Sequence, residues 1–210
     1  MYVPKHFAET RVDVLHDLIR RHPLGTLVVA AAAGLEASHI PFEIDPEPVP
    51  FGTLRCHVAR ANPIWQQIAA DRPVLVVFQG EEGYVSPSWY VGKQEHGKVV
   101  PTWNYAAVHA YGIAKAVPDA AWLRRMVEDL TRRHEHGRAQ PWQVSDAPDD
   151  YVDKLLAAIV GIEIPVTQML GKWKFSQNRS VADRQGVIAG LERDGVPAQA
   201  DVAAVIKTTL

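Results

Sequence analysis

The chain has 210 residues, enough for one large domain with a sizeable core, and its 47% hydrophobic and 22% charged residues exclude a disordered polymer. A formal charge of −2 supplies no global basic field for nucleic acid, and a single cysteine, Cys56, excludes an intramolecular disulfide. No apolar run reaches membrane-spanning length and MYVPKHFAET lacks a charged-then-apolar leader pattern, so the expected compartment is the cytoplasm, without membrane contact.

In chain order, residues 10–21 predict a helix, with Val12, Leu15, Leu18 and Ile19 at helical spacing and Pro23 beyond a basic end. Residues 25–33 form a small, apolar run closed by Gly34, with 35–44 as its hairpin partner. Three prolines and three acids make 43–50 a loop. Strict alternation over 52–60 predicts a strand with Leu54, Cys56 and Val58 on its apolar side, so Cys56 reads as a small buried hydrophobe. Asn62 caps a short helix that has Pro63 at its first position. A hydrophobic strand follows at 73–79, then a glycine-bracketed turn at 80–83, the segment YVSPSWY, and a polar hairpin tip, GKQEHGK.

The stretch 99–115 reads as one long strand with Trp103, Tyr105, His109 and Tyr111 on one side and Thr102, Asn104, Ala106, Val108 and Ala110 on the other. The aromatic side suits either a core wall or the face that holds a flat heteroaromatic ligand. Asp119 then caps a helix to about residue 136 that buries Trp122, Leu123, Met126, Val127 and Leu130 and turns Arg124, Arg125, Arg132 and Arg133 outward. A second helix occupies 149–158, a strand returns over 160–175, and helical segments at 180–193 and 198–207 close the chain. About six strands joined mostly by short turns predict an antiparallel β-barrel with peripheral helices, an α+β arrangement in a single domain. Its helical insert covers about 118–158, and its helical tail covers about 180–210.

His39, His57 and His109 fall in predicted strands, but ligands drawn from separate strands leave no short motif, and no metal site is assigned. No Gly-x-Ser-x-Gly elbow, Walker loop or GxGxxG is present. Three segments are suited to an anion. HVARANP sets Arg60 at a strand-to-helix junction; YVSPSWY offers Ser86 and Ser88 on a turn beside Trp89; GKWKFSQNRS gathers Lys172, Lys174, Gln177, Asn178 and Arg179. Together they match a ligand with a flat ring and an anionic tail.

The strings MYVPKHF, GTLVV, SHIPF, HVARANP, VFQGEEGYVSPSWY, VPTWNYAAVHAYG, AIVGIEI and GKWKFSQNR, followed by GVIAGL, span nearly the whole chain. On them the sequence resembles the PaiB family, FMN-binding negative transcriptional regulators related to the pyridoxamine-phosphate-oxidase-like split barrels. The resemblance implies an FMN-binding split barrel and a homodimer with flavin near the subunit interface. It points to His57, Arg60 and Asn62 for the flavin phosphate, to Ser38 and His39 along the isoalloxazine edge, and to Trp103, Asn104 and Tyr105 for ring contacts. Lys172, Gln177 and Asn178 would close the site.

Two alternatives stay open beside the regulator: a flavin-dependent oxidoreductase, and a barrel that holds haem through a strand histidine. Whether the chain is an enzyme is also open. No helix-turn-helix or zinc finger is present, so the basic face of the 119–136 helix is the one candidate for direct DNA contact, and a regulatory protein partner is the other route.

Overall fold

A computed structural model describes residues 1–208. Nine strands and six α-helices are present among them. The order is β1 (Ala8–Glu9), α1 (Val12–Arg21), β2 (Leu24–Ala31), β3 (Gly34–Pro41), β4 (Glu43–Asp45), β5 (Thr53–Ala59), β6 (Val74–Val85), α2 (Gly92–His96), β7 (Thr102–Gly112) and β8 (Lys115–Val117). It continues with α3 (Ala120–Glu135), α4 (Asp149–Ala157), β9 (Ile159–Lys174), α5 (Val181–Asp194) and α6 (Pro197–Thr208). Residues 209–210 of the expected helical tail lie outside the described residues. The strands follow the order β3-β2-β6-β7-β9-β5-β4, with β1 and β8 also on β9.

The chain forms two compact units. The larger comprises residues 16–78 and 110–169. Here β2 and β3 make the expected hairpin, Ala31 opposite Gly34, and β5 runs antiparallel to β9 from Thr53↔Pro165 to Ala59↔Ile159. The period-two pattern of β5 puts Leu54 (0% exposed), Cys56 (0%) and Val58 (5%) inside, as their spacing requires. Burial pushes the Cys56 thiol up, far from any thiolate chemistry. Phe42 and Phe78 meet edge-to-face at 5.6 Å, and a Cβ at Gly25 would approach the Phe78 ring to 2.7 Å, so a side chain there has no room. Asp119 caps α3 by accepting from the Trp122 N–H at 2.6 Å, and Leu123 packs with Val152 and Leu156 of α4.

The smaller unit comprises residues 1–15, 79–109 and 170–210. In it β1 pairs with the end of β9 through Ala8↔Lys172 and Glu9↔Gly171. The helical hairpin α5–α6 carries Val187, Leu191, Val202 and Ile206 into its core, all 0% exposed. Gly186 and Gly190, one turn apart on α5, let the Trp89 residue lie directly on the helix. The Arg184 side chain donates to the Ile206 carbonyl at 3.2 Å and so secures the end of α6.

Four local expectations are corrected. The turn expected at 80–83 is part of β6, which runs to Val85: the glycines punctuate the sequence, yet the backbone stays extended through them. The hairpin tip GKQEHGK is the short helix α2, ended by Gly97 at φ 67°, which a left-handed C-cap requires. The helix after Asn62 is only a 3₁₀ turn, Pro63–Gln66. The loop at 43–50 begins with β4, paired with β5 through Ile44↔Leu54.

Candidate functional site

Strand β7 decides between its two readings by burial. Asn104, Ala106 and Val108 are 0% exposed and Ala110 is 1% exposed, so the small-residue side is the core wall. Trp103 stays 46% exposed, while Tyr105, His109 and Tyr111 are only partly buried. The aromatic side is therefore the open one. Large rings left accessible on a rigid strand suit a flat ligand or a partner surface.

In the smaller unit, Trp103 donates its indole N–H to Glu82 Oε2 at 2.7 Å and meets Tyr84 edge-to-face at 6.2 Å. The Lys172 ammonium stands 5.2 Å from the centre of the Tyr105 ring and 5.9 Å from that of Tyr2, and it donates to the Tyr2 carbonyl at 3.2 Å. Lys174, two residues on and so on the same side of β9, donates to Thr102 Oγ1 at 2.6 Å. Burial, with the Lys172 charge adding and Tyr105 opposing, holds the Lys174 ammonium below its ordinary pKa.

Beyond β9 the chain turns sharply. Ser176 has φ 61°, the only positive φ of a non-glycine residue among those described, and is held by a 3.1 Å hydrogen bond between Asn104 Nδ2 and its hydroxyl. Gln177 staples the turn by accepting from the Phe175 N–H and donating to the Trp173 carbonyl, both at 2.7 Å. Arg179 lies over the Tyr90 ring, its guanidinium carbon 4.8 Å from the ring centre. Tyr90, Asn104, Ser176 and Arg179 line a cavity of about 90 Å³ together with Phe7, Thr102, Lys174 and Asn178. Ser86 caps the 3₁₀ turn Pro87–Trp89 through the Ser88 N–H at 3.2 Å, and Ser88 accepts from Lys93 at 3.1 Å.

Eleven of the sixteen candidate residues belong to this unit: Ser86, Ser88, Trp89, Trp103, Asn104, Tyr105, Lys172, Lys174, Gln177, Asn178 and Arg179. Gln177 and Trp89 serve the backbone turn and the helix packing. Tyr90 and Ser176 are not among the sixteen. Lys174 and Arg179 were visible in the GKWKFSQNRS run, and Tyr90 in YVSPSWY.

The other five, Ser38, His39, His57, Arg60 and Asn62, belong to the larger unit. His39 is exposed and Ser38 partly so on β3. Burial lowers the pKa of His57, favouring the neutral imidazole. Arg60 donates from Nε to the Ala157 carbonyl at 2.8 Å and from Nη2 to the Ile159 carbonyl at 3.0 Å, capping the end of α4. Asn62 Oδ1 accepts from the Ile64 N–H at 3.0 Å, the cap its position before Pro63 suggests.

On α3, three of the four outward arginines are tied to carboxylates. Arg124 meets Asp153 at 2.9 Å, Arg132 meets Asp129 at 3.1 Å, and Arg133 meets Glu43 at 3.1 Å. That pairing cancels most of the positive field a phosphate backbone would need. Among the described residues no helix is long and apolar enough to cross a membrane.

Comparison with known proteins places this geometry in a family. Residues 1–168 match the family model described as "Putative FMN-binding domain". The Bacillus subtilis protein named Protease synthase and sporulation protein PAI 2 is 30% identical over 213 residues, covering 100% of this chain and 98% of its own. An uncharacterised Aspergillus fumigatus protein is 36% identical over 252 residues, covering 99% and 97% of the two chains. Among solved structures, an FAD and haem binding protein of Mycobacterium smegmatis superposes with a TM-score of 0.62 at 18% identity, covering 87% of this chain and 80% of that one. At that identity the likeness speaks for the fold, which is an antiparallel split barrel with peripheral helices. On the family model and the Bacillus relative together, the chain belongs to the PaiB family of FMN-binding proteins.

Proposed function

We propose that this chain is a flavin-binding negative transcriptional regulator of the PaiB type, acting as a homodimer with FMN held close to the subunit interface. The observation that carries the flavin part is the orientation of β7, whose small-residue side is buried while Trp103 and Tyr105 stay accessible beside Lys172 and Lys174. That donor set fits the cofactor: rings for stacking, with cations and hydroxyls for the polar edge and the anionic tail. When bound, FMN supplies a redox-active ring system. Trp103 and Tyr105 would provide the flat contact surface, and Lys172, already ordered between two tyrosine rings, would present its charge there without a further loss of side-chain freedom.

The dimer rests on the same face. Tyr84 (43% exposed), Trp103 (46%) and Val100 (62%) leave apolar surface that a second copy would cover. Regulation follows the Bacillus relative, whose name ties it to protease synthesis and sporulation. With three of the four outward α3 arginines paired to carboxylates, a regulatory protein partner suits the surface better than DNA.

Two measurements test the reading. FMN is titrated into the protein by flavin fluorescence, and a reporter strain follows repression with the wild type and with Trp103→Ala. A Trp103→Ala protein that stays folded, loses flavin and no longer represses is the expected result. Unchanged flavin affinity would remove Trp103 from the site, and a flavin-free variant that still represses would separate flavin from regulation.

A further inference from the structure

We infer that the cavity between Tyr90 and the 174–179 turn is a built site for a compact oxyanion, a phosphate group above all. Its two charged groups are both cations, the Lys174 ammonium and the Arg179 guanidinium, and the Tyr90 and Ser176 hydroxyls and the Asn104 amide add neutral donors beside Thr102 and Asn178. No carboxylate lines it among the described residues. Three of these groups lie out of water: Asn104 is 0% exposed, Tyr90 2% and Ser176 4%.

The Tyr90 hydroxyl is enclosed and has no partner in hydrogen-bond geometry among the described residues, although Ser176 and Arg179 lie near enough for their polarity to be felt there. An orphaned buried donor facing a cavity calls for an acceptor that the protein itself does not supply. Asp183, whose charge is also felt at Tyr90, already commits Oδ1 to the Gly92 N–H at 3.0 Å. The backbone points the same way. Ser176 is held in a left-handed conformation by Asn104 and by the Gln177 staple, so the wall carrying its hydroxyl is fixed before any ligand arrives. At about 90 Å³ the cavity admits a phosphate or sulfate group but neither a sugar nor a flavin ring.

One phosphate chemistry has two sources here, a free anion or the phosphate ester of the flavin. The site stands on geometry independent of the flavin reading. The test is calorimetric titration of the full chain with inorganic phosphate, in buffer free of phosphate and sulfate, with and without FMN. The variants are Arg179→Ala, Lys174→Ala and Tyr90→Phe, each first checked for folding by circular dichroism. The wild type is expected to bind, with Arg179→Ala or Lys174→Ala weakening phosphate about 10- to 100-fold, the worth of one charge-assisted hydrogen bond. Tyr90→Phe keeps the ring and its packing and is expected to weaken phosphate about 5- to 10-fold.

If FMN blocks phosphate, and the Arg179 variant loses the preference for FMN over riboflavin, the source is the flavin ester. If phosphate binds equally with FMN present, the source is a free anion. If wild-type protein neither binds phosphate nor changes its FMN-to-riboflavin preference in any variant, the site is overturned. A protein that binds phosphate but no flavin would keep this site and remove the flavin proposal instead.

Discussion

The Asn104–Ser176 pair offers a quantitative test of how the pocket is held. Asn104 is 0% exposed and its Nδ2 lies 3.1 Å from the Ser176 hydroxyl. The same hydroxyl donates to Asn104 Oδ1 at 3.3 Å, so Ser176→Ala takes a partner from both ends of a buried amide, at a cost of about 1–3 kcal/mol. It also leaves an alanine at φ 61°, where a Cβ is strained by about 1–2 kcal/mol. Ser176→Gly makes the same hydrogen-bond loss but relieves that strain; after the extra entropy glycine loses on folding, about 0.5–1 kcal/mol, it should stand above Ser176→Ala by up to about 1.5 kcal/mol. The double variant Asn104→Ala with Ser176→Ala removes both polar groups and should cost less than the sum of the single variants by about 1 kcal/mol. Urea unfolding reads all of this. With a slope of about 2 kcal/mol/M, Ser176→Ala moves the midpoint down by about 0.5–1.5 M and Ser176→Gly by less. Equal midpoints for wild type and Ser176→Ala, or Ser176→Gly below Ser176→Ala, would refute the view that the left-handed serine is held in place by Asn104.

Other substitutions probe the rest of the account. Gly190→Ala gains at most about 1 kcal/mol of helix propensity but drives a Cβ into the Trp89 indole, an overpacking cost of about 1–3 kcal/mol, so thermal unfolding should fall rather than rise. Trp103→Ala and Tyr105→Ala should each weaken FMN about 5- to 100-fold in a fluorescence titration, the worth of one stacked ring, with the smaller loss of stability at the exposed Trp103 and the larger at the partly buried Tyr105. The folded-state pKa of His57 lies below its ordinary 6.5, so the unfolded chain binds more protons between the two values. Its contribution is complete above about 6.5 and falls away as pH drops toward the folded value, and His57→Gln should flatten stability against pH in that window.

The sequence was most legible where one rule acted alone. Alternation placed Leu54, Cys56 and Val58 inside β5, and Asp119 marked the start of α3, because side-chain period and capping are local. It was least legible where long-range packing overrode a local signal. Gly80 and Gly83 look like turn residues, yet β6 continues through them. The strands β1, β4 and β8 hold only two or three residues, too few to show any period, and exist because β9 or β5 offers them an edge.

The candidate site shows the same division. Trp103, Tyr105 and Lys172 were visible as an aromatic strand and a basic run, but which side of β7 faced the core was not, since both sides carry residues that a core accepts. Arg60 had the composition of a phosphate ligand, and nothing local revealed that its fork would meet the Ala157 and Ile159 carbonyls nearly a hundred positions away. Ser176 escaped because a left-handed φ on a serine leaves no mark in the sequence.

The measurement that tests flavin binding at the β7 face most directly is the visible absorption spectrum of the purified protein after incubation with FMN and removal of the excess by gel filtration. The account predicts a flavin spectrum that travels with the protein in the wild type and is lost or strongly reduced when Trp103 and Tyr105 are both replaced by alanine in a protein that remains folded. A colourless wild type, or a doubly substituted protein as yellow as the wild type, would contradict it.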